Sequence, residues 1–272
     1  MTNSYIAPRL IDWQKKSGRH DLPWQKSNDP YVVWISEVML QQTQVSTVIP
    51  FFNKFIDSFP NINKLAEASE DEVMEHWSGL GYYRRAKFIM QSATILVKKY
   101  NATFPMTVDE LKSLPGIGKS TAGAICALAF KKPAPILDAN VKRVFCRFYG
   151  IKEWSGETRI DKKLWDLAEQ NLPDKEVSIY TQALMDMGAT LCKPKVPLCL
   201  KCPINKKCIS YENNLVNEIP AKKIKKPKPI RVKHVLILEN KNQILLEKKI
   251  SPGVWQGLWS LPEIKKGFNE VN

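Results

Sequence analysis

The strongest indication of the fold is the stretch Leu114-Pro115-Gly116-Ile117-Gly118-Lys119-Ser120-Thr121-Ala122. It follows a segment of helical pattern, Val108–Ser113, and it leads into an apolar run with helical spacing. Its two glycines allow the backbone to turn tightly, and the free amides at the start of the next helix can bind a phosphate. We therefore predict a helix-hairpin-helix at about residues 107–130. An ordinary glycine turn between two helices remains the alternative on these residues alone.

The same stretch contains Gly118-Lys119-Ser120, which also ends the phosphate-binding loop of nucleotide-binding proteins. That loop needs an earlier glycine at the position occupied here by Ser113, and it follows a β-strand. Because Val108–Ser113 has a helical pattern instead, the sequence argues against nucleotide binding at this position.

On both sides of the hairpin, apolar residues recur at helical spacing and are separated by Pro and Gly. This pattern predicts an all-α domain over residues 1–190. We expect a cysteine-rich loop at 191–212 and an extended basic Pro/Lys linker at 213–230, where repeated proline opposes helix. Residues 231–272 form a partial β-type domain with two strand-like runs, Val232–Glu239 and Gln243–Lys248, separated by Asn240-Lys241-Asn242.

Four of the six cysteines lie close together in the predicted loop, at Cys192, Cys199, Cys202 and Cys208. Four thiolates so spaced can bind one metal centre. The chemistry of cysteine alone leaves both zinc and an iron–sulfur cluster open. Between Cys192 and Cys208 the loop also carries five lysines and no acidic residue, so a centre that tethers it would present cations to phosphates. We expect the role of the centre to be structural. Cys126 and Cys146 lie in apolar helical runs and are predicted core residues.

The net charge of +14 is concentrated in one part of the chain. Residues 193–233 carry twelve Lys or Arg and only two acidic residues, Glu212 and Glu218. Such a block indicates a polyanionic partner, most often nucleic acid, although a solvated lysine-rich linker is the alternative. The sequence shows neither a signal peptide nor a transmembrane segment, so we expect a cytoplasmic protein, associated with the nucleoid, and no membrane partner.

Two carboxylates are candidates for acid–base chemistry. On a helix, Glu37 has Val33, Trp34 and Leu40 as neighbours, so desolvation should raise its pKa into the range of a general acid. A glutamate at the rim of a helix is the alternative. Asp138 precedes an amphipathic helix, where a simple N-cap is the more common role. Two carboxylates in different environments are the usual equipment for cleaving a glycosidic bond, provided that they face one another.

Several further motifs occur in order along the chain, and together they carry a family resemblance. They are Glu37-Val-Met-Leu-Gln-Gln-Thr-Gln44, Gly79-Leu-Gly-Tyr-Tyr83, Leu114-Pro-Gly-Ile-Gly-Lys-Ser-Thr-Ala-Gly123, Ile136-Leu-Asp-Ala-Asn-Val-Lys-Arg143 and the cysteine run. With this set, residues 5 to about 210 resemble the adenine DNA glycosylase (MutY) branch of the endonuclease III superfamily.

The resemblance implies two helical lobes, a six-helix barrel with the hairpin and a lobe holding a [4Fe–4S] cluster, with double-stranded DNA bound across the cleft. The enzyme would act as a monomer, flipping out and removing adenine paired with 8-oxoguanine or guanine. Glu37 would protonate adenine and help to position water, and Asp138 would stabilise the cationic sugar. Gln42 and Tyr82 would intrude into the DNA, which Gly116, Gly118 and Ser120 also contact. Trp24 and Gln182 would line the base pocket.

Ser120 distinguishes two branches of that superfamily. Bifunctional relatives carry a lysine at this position, which attacks the sugar and cuts the strand, whereas a serine hydroxyl cannot form a Schiff base. Lys119 is adjacent, but one residue along a helix is turned about 100° away. We therefore predict hydrolysis without an efficient lyase step. The rival hypotheses are a bifunctional glycosylase and AP lyase, and a non-catalytic iron–sulfur protein that binds DNA.

The C-terminal part departs from the family pattern. Val232–Glu239, Gln243–Lys248 and Gly253–Pro262 resemble the beginning of a Nudix-like domain that reads 8-oxoguanine in relatives. The rest of that domain and its cluster of catalytic glutamates are missing. We expect no nucleotide hydrolysis and weaker recognition of the base opposite adenine.

Overall fold

The computed structural model describes residues 5–223, 229–230, 232–250 and 256–264. The chain divides into two compact units, Met1–Lys223 and Ile224–Asn272. Residues 224–228 of the predicted linker, residues 253–255 of the predicted Nudix-like segment and the last eight residues of the chain lie outside the described residues.

The described part of the first unit is helical, as the sequence predicts. Its α-helices are α1 Ile6–Ser17, α2 Pro30–Leu40, α3 Val45–Ser58, α4 Ile62–Glu67, α5 Glu70–Trp77, α6 Arg84–Tyr100, α7 Val108–Lys112, α8 Lys119–Leu128, α9 Ala139–Phe148, α10 Thr158–Gln170, α11 Val177–Thr190 and α12 Ile209–Glu212. Short 3-10 turns occur at Pro23–Lys26, Cys199–Lys201 and Asn205–Lys207. Within the described residues, no helix is long and apolar enough to cross a membrane.

Side chains at the helix starts explain several of these boundaries. Asp29, Asn61, Thr107 and Asp138 each accept a hydrogen bond from a backbone amide in the first turn of the following helix. Ser69 does the same for α5 and forms a reciprocal capping box with Glu72. The start of each of these helices is therefore encoded locally.

One hydrophobic core joins the two ends of the helical unit. Helix α11 packs against α1, α8 and α9, and its buried residues include Tyr180, Leu184 and Met187. The same core takes in Ile204 and Ile219, so the cysteine-rich loop and the segment after it are anchored to these helices. On the other side, α8 packs against α2 and α7. Helix α8, which leaves the hairpin, thus lies between α2 and α11.

The described part of the second unit contains four short strands, β1 Glu239–Asn240, β2 Gln243–Ile244, β3 Glu247–Lys248 and β4 Trp259–Ser260. β1 pairs with β2 and β3 pairs with β4, both antiparallel. Lys241 and Asn242 both have positive φ, as in a two-residue hairpin turn.

These strands are shorter than the runs predicted from the sequence. Of Val232–Glu239, only Glu239 lies in a strand, and Val235 forms an isolated bridge with Glu263. Val235, Leu236, Ile237 and Leu238 remain exposed. A run of apolar residues forms a long strand only where a second layer covers one face, and within the described residues these side chains are exposed.

Candidate functional site

The two glycines of the hairpin have different roles. Gly116 has a φ of 78°, and a Cβ there would lie 2.7 Å from the Cβ of Phe88, so only glycine fits without strain. Gly118 has a φ of −86° and caps α8 without a side-chain hydrogen bond, and a Cβ there would meet nothing within 4 Å. The prediction that both glycines serve the turn is therefore correct only for Gly116. At Gly118 the open space leaves the first amides of α8 accessible.

Ser120 lies in the first turn of α8 and faces the segment that leads into α9. Its Oγ accepts a hydrogen bond of 3.0 Å from the backbone amide of Leu137, the residue before Asp138. The neighbouring Lys119 takes another direction, because its Nζ lies 3.2 Å from Glu169 Oε1 and 4.0 Å from the centre of the Trp165 ring. The lysine of this pair therefore contacts α10, and the serine contacts the Asp138 segment.

Glu37 lies on α2, whose other side chains are mostly buried and apolar. Burial raises the pKa of Glu37 to about 8, and the negative charge of Asp138 contributes to the same shift. The direction agrees with the one expected from its apolar neighbours in the sequence. Because Asp138 affects the pKa of Glu37, the two carboxyl groups lie close enough for their charges to interact. The sequence could not show this.

Asp138 caps α9, and its Oδ1 accepts a hydrogen bond of 2.8 Å from the amide of Val141. Burial raises its pKa, while hydrogen bonds from the amides of Val141 and Asn140 and the charge of Arg143 act in the opposite direction. The N-cap interpretation is thus correct, and the charge of the capping carboxylate also acts on Glu37, whose ionisation it opposes.

A cavity of about 320 Å³ lies against the helix that carries Glu37. Trp24 and Gln182, the two predicted pocket residues, both line it, and so do Val33 and Ser36 from the helix that carries Glu37. Trp24 is held by an edge-to-face contact with Phe52 at 5.3 Å. Glu37 and Asp138 themselves do not line the cavity. A planar, partly polar ligand would lie between Trp24 and Gln182.

Gln42 and Tyr82 both occupy exposed turns with left-handed backbone. Their φ angles are 58° and 50°, a conformation that costs a non-glycine residue roughly 1–2 kcal/mol. Tyr82 is 58% exposed. Such strain at exposed side chains is typical of residues that serve binding rather than stability.

The buried Arg85 connects these two turns, and the sequence analysis missed it. Its Nη1 donates to the carbonyl oxygens of Met39 and Gln41, at 2.7 Å each, and its Nη2 donates to the carbonyl oxygen of Gly81 at 3.1 Å. Its guanidinium also lies 5.4 Å from the centre of the Tyr82 ring. One side chain therefore holds the segments that present Gln42 and Tyr82.

The four clustered cysteines line one largely apolar cavity, together with Met187 and Ile204. All four are free thiols, and electrostatic interaction with Cys192 raises the pKa of the other three, after burial as the main cause. In the described part of the chain, no three His, Cys, Asp or Glu side chains are grouped closely enough to hold a single metal ion. The four cysteines thus line a common cavity, but their sulfur atoms do not converge on the position of a single ion.

Two arginines of α9 hold this loop against the helix that begins at Asp138. Arg143 donates to the carbonyl oxygens of Cys192 and Gly188, at 2.7 Å each. The buried Arg147 donates to the carbonyl oxygen of Lys193 at 2.7 Å and to Cys192 Sγ at 3.3 Å. Their positions in an amphipathic helix gave no sign of these contacts.

Asp186 is another residue that the sequence analysis missed. It is fully buried on α11, where it pairs with Arg19 and accepts a hydrogen bond from Gln182. A lone carboxylate in an otherwise apolar helix was the available signal, because such groups are rarely buried without a partner.

Known proteins resemble this chain both in sequence and in fold. The profile of the HhH-GPD superfamily base excision DNA repair protein matches residues 35–170. The chain is 43% identical to the adenine DNA glycosylase of Buchnera aphidicola subsp. Acyrthosiphon pisum, over 97% of this chain and 76% of that protein. It is 39% identical to the adenine DNA glycosylase of Homo sapiens, over 73% of this chain and 38% of that protein.

Solved structures with the same fold include a thermostable thymine-DNA glycosylase, with a TM-score of 0.68 and 30% identity over 76% of this chain and 95% of that one. An endonuclease III in a non-covalent DNA complex has a TM-score of 0.65 and 23% identity, covering 79% of this chain and 99% of that one, and shows the fold alone. By sequence, fold and profile, the chain belongs to the adenine DNA glycosylase family, within the HhH-GPD superfamily of base excision DNA repair proteins.

Proposed function

We propose that this chain is a monofunctional DNA glycosylase that removes adenine paired with 8-oxoguanine or guanine, acting as a monomer. The observation that carries the proposal is the pair formed by Glu37 and Asp138, in which burial and the charge of Asp138 raise the pKa of Glu37 to about 8. The names of the relatives support adenine as the base. The pair supplies the acid and the anion that cleavage of a glycosidic bond requires.

In the proposed reaction, the flipped adenine enters the cavity between Trp24 and Gln182. Glu37, protonated near neutral pH, transfers its proton to N7 of the base, and the bond between adenine and C1′ of the sugar breaks with both electrons on the base. The carboxylate of Asp138 stabilises the positive charge that develops on the sugar. Water then attacks C1′, and Glu37 regains a proton, which leaves an abasic site in an intact strand.

Contacts with DNA would come from several parts of the helical unit. The open amides at the start of α8 are suited to a backbone phosphate. Gln42 and Tyr82 would occupy the space that the flipped base leaves in the duplex, which offsets the lost stacking. The exposed lysines of the cysteine-rich loop, among them Lys193, Lys195 and Lys201, add positive charge for further phosphates.

The cysteine-rich loop would hold a [4Fe–4S] cluster through Cys192, Cys199, Cys202 and Cys208. Four cysteines around one apolar cavity suit a cluster whose irons each take one thiolate, since such ligands need not converge on a single atom. The guanidinium of Arg147 lies beside one of these ligands, with Nη1 at 3.3 Å from Cys192 Sγ. When bound, the cluster would supply structural cross-linking, which keeps the lysine-bearing loop in place against α9.

The direct test is base release from a duplex that contains adenine opposite 8-oxoguanine, beside an adenine–thymine duplex and a thymine-glycol duplex. We expect adenine release from the first duplex alone, and a product strand that breaks only after treatment with alkali. Release of thymine glycol with strand cleavage at the same rate would instead assign the bifunctional activity. Binding of the mispaired duplex without release of any base would assign a non-catalytic role.

A further inference from the structure

Asp186 is a fully buried carboxylate whose neighbours in the described structure all donate hydrogen bonds to it. Arg19 provides its backbone amide and Nε at 2.9 Å each, and Nη2 at 2.5 Å. Gln14 Nε2 donates at 3.0 Å and Gln182 Nε2 at 2.9 Å. Asp186 and Arg19 form an ion pair, and an aspartate carboxylate accepts hydrogen bonds and donates none.

This arrangement determines which end of the Gln182 amide faces the cavity. The nitrogen and oxygen of a glutamine side chain have nearly the same shape, so the bonding partner decides their order. Because Asp186 can only accept, the amide nitrogen of Gln182 must point towards it. Gln182 lines the cavity, so with its Nε2 bound to Asp186 the acceptor that it can offer a ligand there is Oε1.

The partners of Asp186 leave little freedom for this order to reverse. Gln14 is almost fully buried and lines the same cavity. A Cβ at Gly18 would lie 2.2 Å from the amide carbon of Gln14, so the absence of a side chain at Gly18 is what leaves room for that amide. Arg19 is fixed at three atoms. A rotated Gln182 amide would point its oxygen, an acceptor, at the Asp186 carboxylate, which also only accepts. Two acceptors would then face each other in a partly buried site.

We propose that Asp186 is a positioning residue that sets the hydrogen-bonding polarity of the base pocket, through Gln182, in favour of a 6-aminopurine. The inference rests on the proposed function. The exocyclic amine of a 6-aminopurine donates to Gln182 Oε1. A 6-oxopurine presents an acceptor at the same place, and so leaves two buried acceptors without a partner. Asp186 would thereby help to select adenine without touching it.

The first variant is Asp186→Asn, tested by single-turnover release of adenine and of hypoxanthine, each opposite 8-oxoguanine in otherwise identical duplexes. An asparagine amide can donate as well as accept, so Gln182 is free to rotate and to present its nitrogen. We expect the ratio of adenine to hypoxanthine release to fall roughly 10- to 100-fold, the range typical of a reversed hydrogen bond to a base edge. A residue with only a structural role would slow both reactions equally, and that result would overturn the inference.

The second variant combines Asp186→Asn with Gln182→Glu, which moves the carboxylate to the position that faces the cavity. Glutamate at 182 can only accept, and asparagine at 186 can donate to it. We expect this double variant to regain most of the preference for adenine. A ratio as low as that of the single variant would contradict the proposed polarity.

Asp12→Asn is the matched control, because it makes the same chemical change at an exposed ion pair with Lys16 on α1. Its ratio should equal that of the wild type. If Asp186→Asn does not fold, Gln182→Met removes the acceptor while Asp186 keeps its bonds from Arg19 and Gln14. The same fall in the ratio is expected, and an unchanged ratio would overturn the inference.

Base release by the wild type distinguishes failure of the proposed function from failure of this inference. If it releases neither base, the proposed function fails and the inference fails with it. If it releases adenine and hypoxanthine equally fast, the proposed function stands and the inference alone is wrong.

Discussion

Asp138, which caps the N-terminus of α9, acts electrostatically on Glu37 of α2 and adds to the rise of its pKa to about 8. The two residues come from distant parts of the chain, and each has a local structural setting of its own. Burial and this charge together favour a protonated Glu37 near neutral pH. Such a pair divides acid catalysis and charge stabilisation between two side chains.

Glu37→Gln should abolish most adenine release while leaving duplex binding nearly unchanged. Glutamine has the same shape but no proton of suitable acidity, and general acid catalysis typically contributes about 10²–10⁴-fold. Single-turnover release and duplex binding should be measured together, with Glu67→Gln at an exposed ion pair as the control. Near-normal turnover in Glu37→Gln would refute its assignment as the acid.

Glu37→Gln should also be more stable than the wild type, by a margin that grows with pH. The pKa of Glu37 in the folded chain, about 8, lies above its ordinary value of 4.5. Between these values the folded chain binds a proton that the unfolded chain releases, so the free energy of unfolding of the wild type falls as pH rises through this window. Thermal melts at pH 5 and pH 8 test this. An equal difference in Tm at both values would show that Glu37 is not buried as described.

The two hairpin glycines should respond differently to alanine. Gly116→Ala should lower the free energy of unfolding by at least about 1 kcal/mol, because a positive φ and contact with Phe88 both oppose a Cβ. Gly118→Ala should leave stability nearly unchanged, since nothing in the protein opposes its Cβ. It should nevertheless weaken DNA binding, because a phosphate at the α8 amides would meet the added methyl group. Urea unfolding and duplex binding separate the two effects, and full DNA affinity in Gly118→Ala would argue against a phosphate site there.

Ser120→Lys should confer strand cleavage on a hydrolytic enzyme. A lysine amine can attack C1′ of the sugar once adenine has left, and the resulting imine permits β-elimination. The helix N-terminus and Lys119 should favour a neutral amine, because positive surroundings lower the pKa of a lysine. The variant should be trapped on DNA by borohydride, whereas the wild type leaves a strand that breaks only in alkali. Efficient trapping of the wild type would contradict the monofunctional proposal, and a variant that releases adenine without trapping would show that position 120 does not face the sugar.

Purified protein should be brown and contain about four irons per chain, as a [4Fe–4S] cluster requires. Cys199→Ser should lower the iron content and loosen the lysine-bearing loop, whereas Cys126→Ser, in the helical core, should leave the iron content unchanged. Metal analysis and visible absorbance of anaerobically prepared protein provide the measurement. One zinc per chain with no visible absorbance would assign the other metal that the cysteine spacing allows.

The sequence was most informative where a property depends on neighbouring residues. The hairpin follows from two glycines between helical patterns, and the cap at Asp138 follows from the helix after it. The rise in the pKa of Glu37 follows from apolar residues one turn away on α2. The predicted length of the strand Val232–Glu239 was wrong. A strand of that length depends on a covering layer elsewhere in the fold, and a local sequence pattern cannot supply that layer.

Contacts between side chains that are distant in sequence became visible only in the tertiary structure. The opposition of Glu37 and Asp138, the binding of both exposed turns by Arg85 and the enclosure of Asp186 by Arg19, 167 residues away, are of this kind. The helices, the hairpin, the cysteine spacing and the chemical types of the candidate residues could all be read from the sequence. This is because backbone preferences and periodicity act over a few residues. Which charged groups meet depends on how the helices pack, and packing is a property of the whole core rather than of any segment.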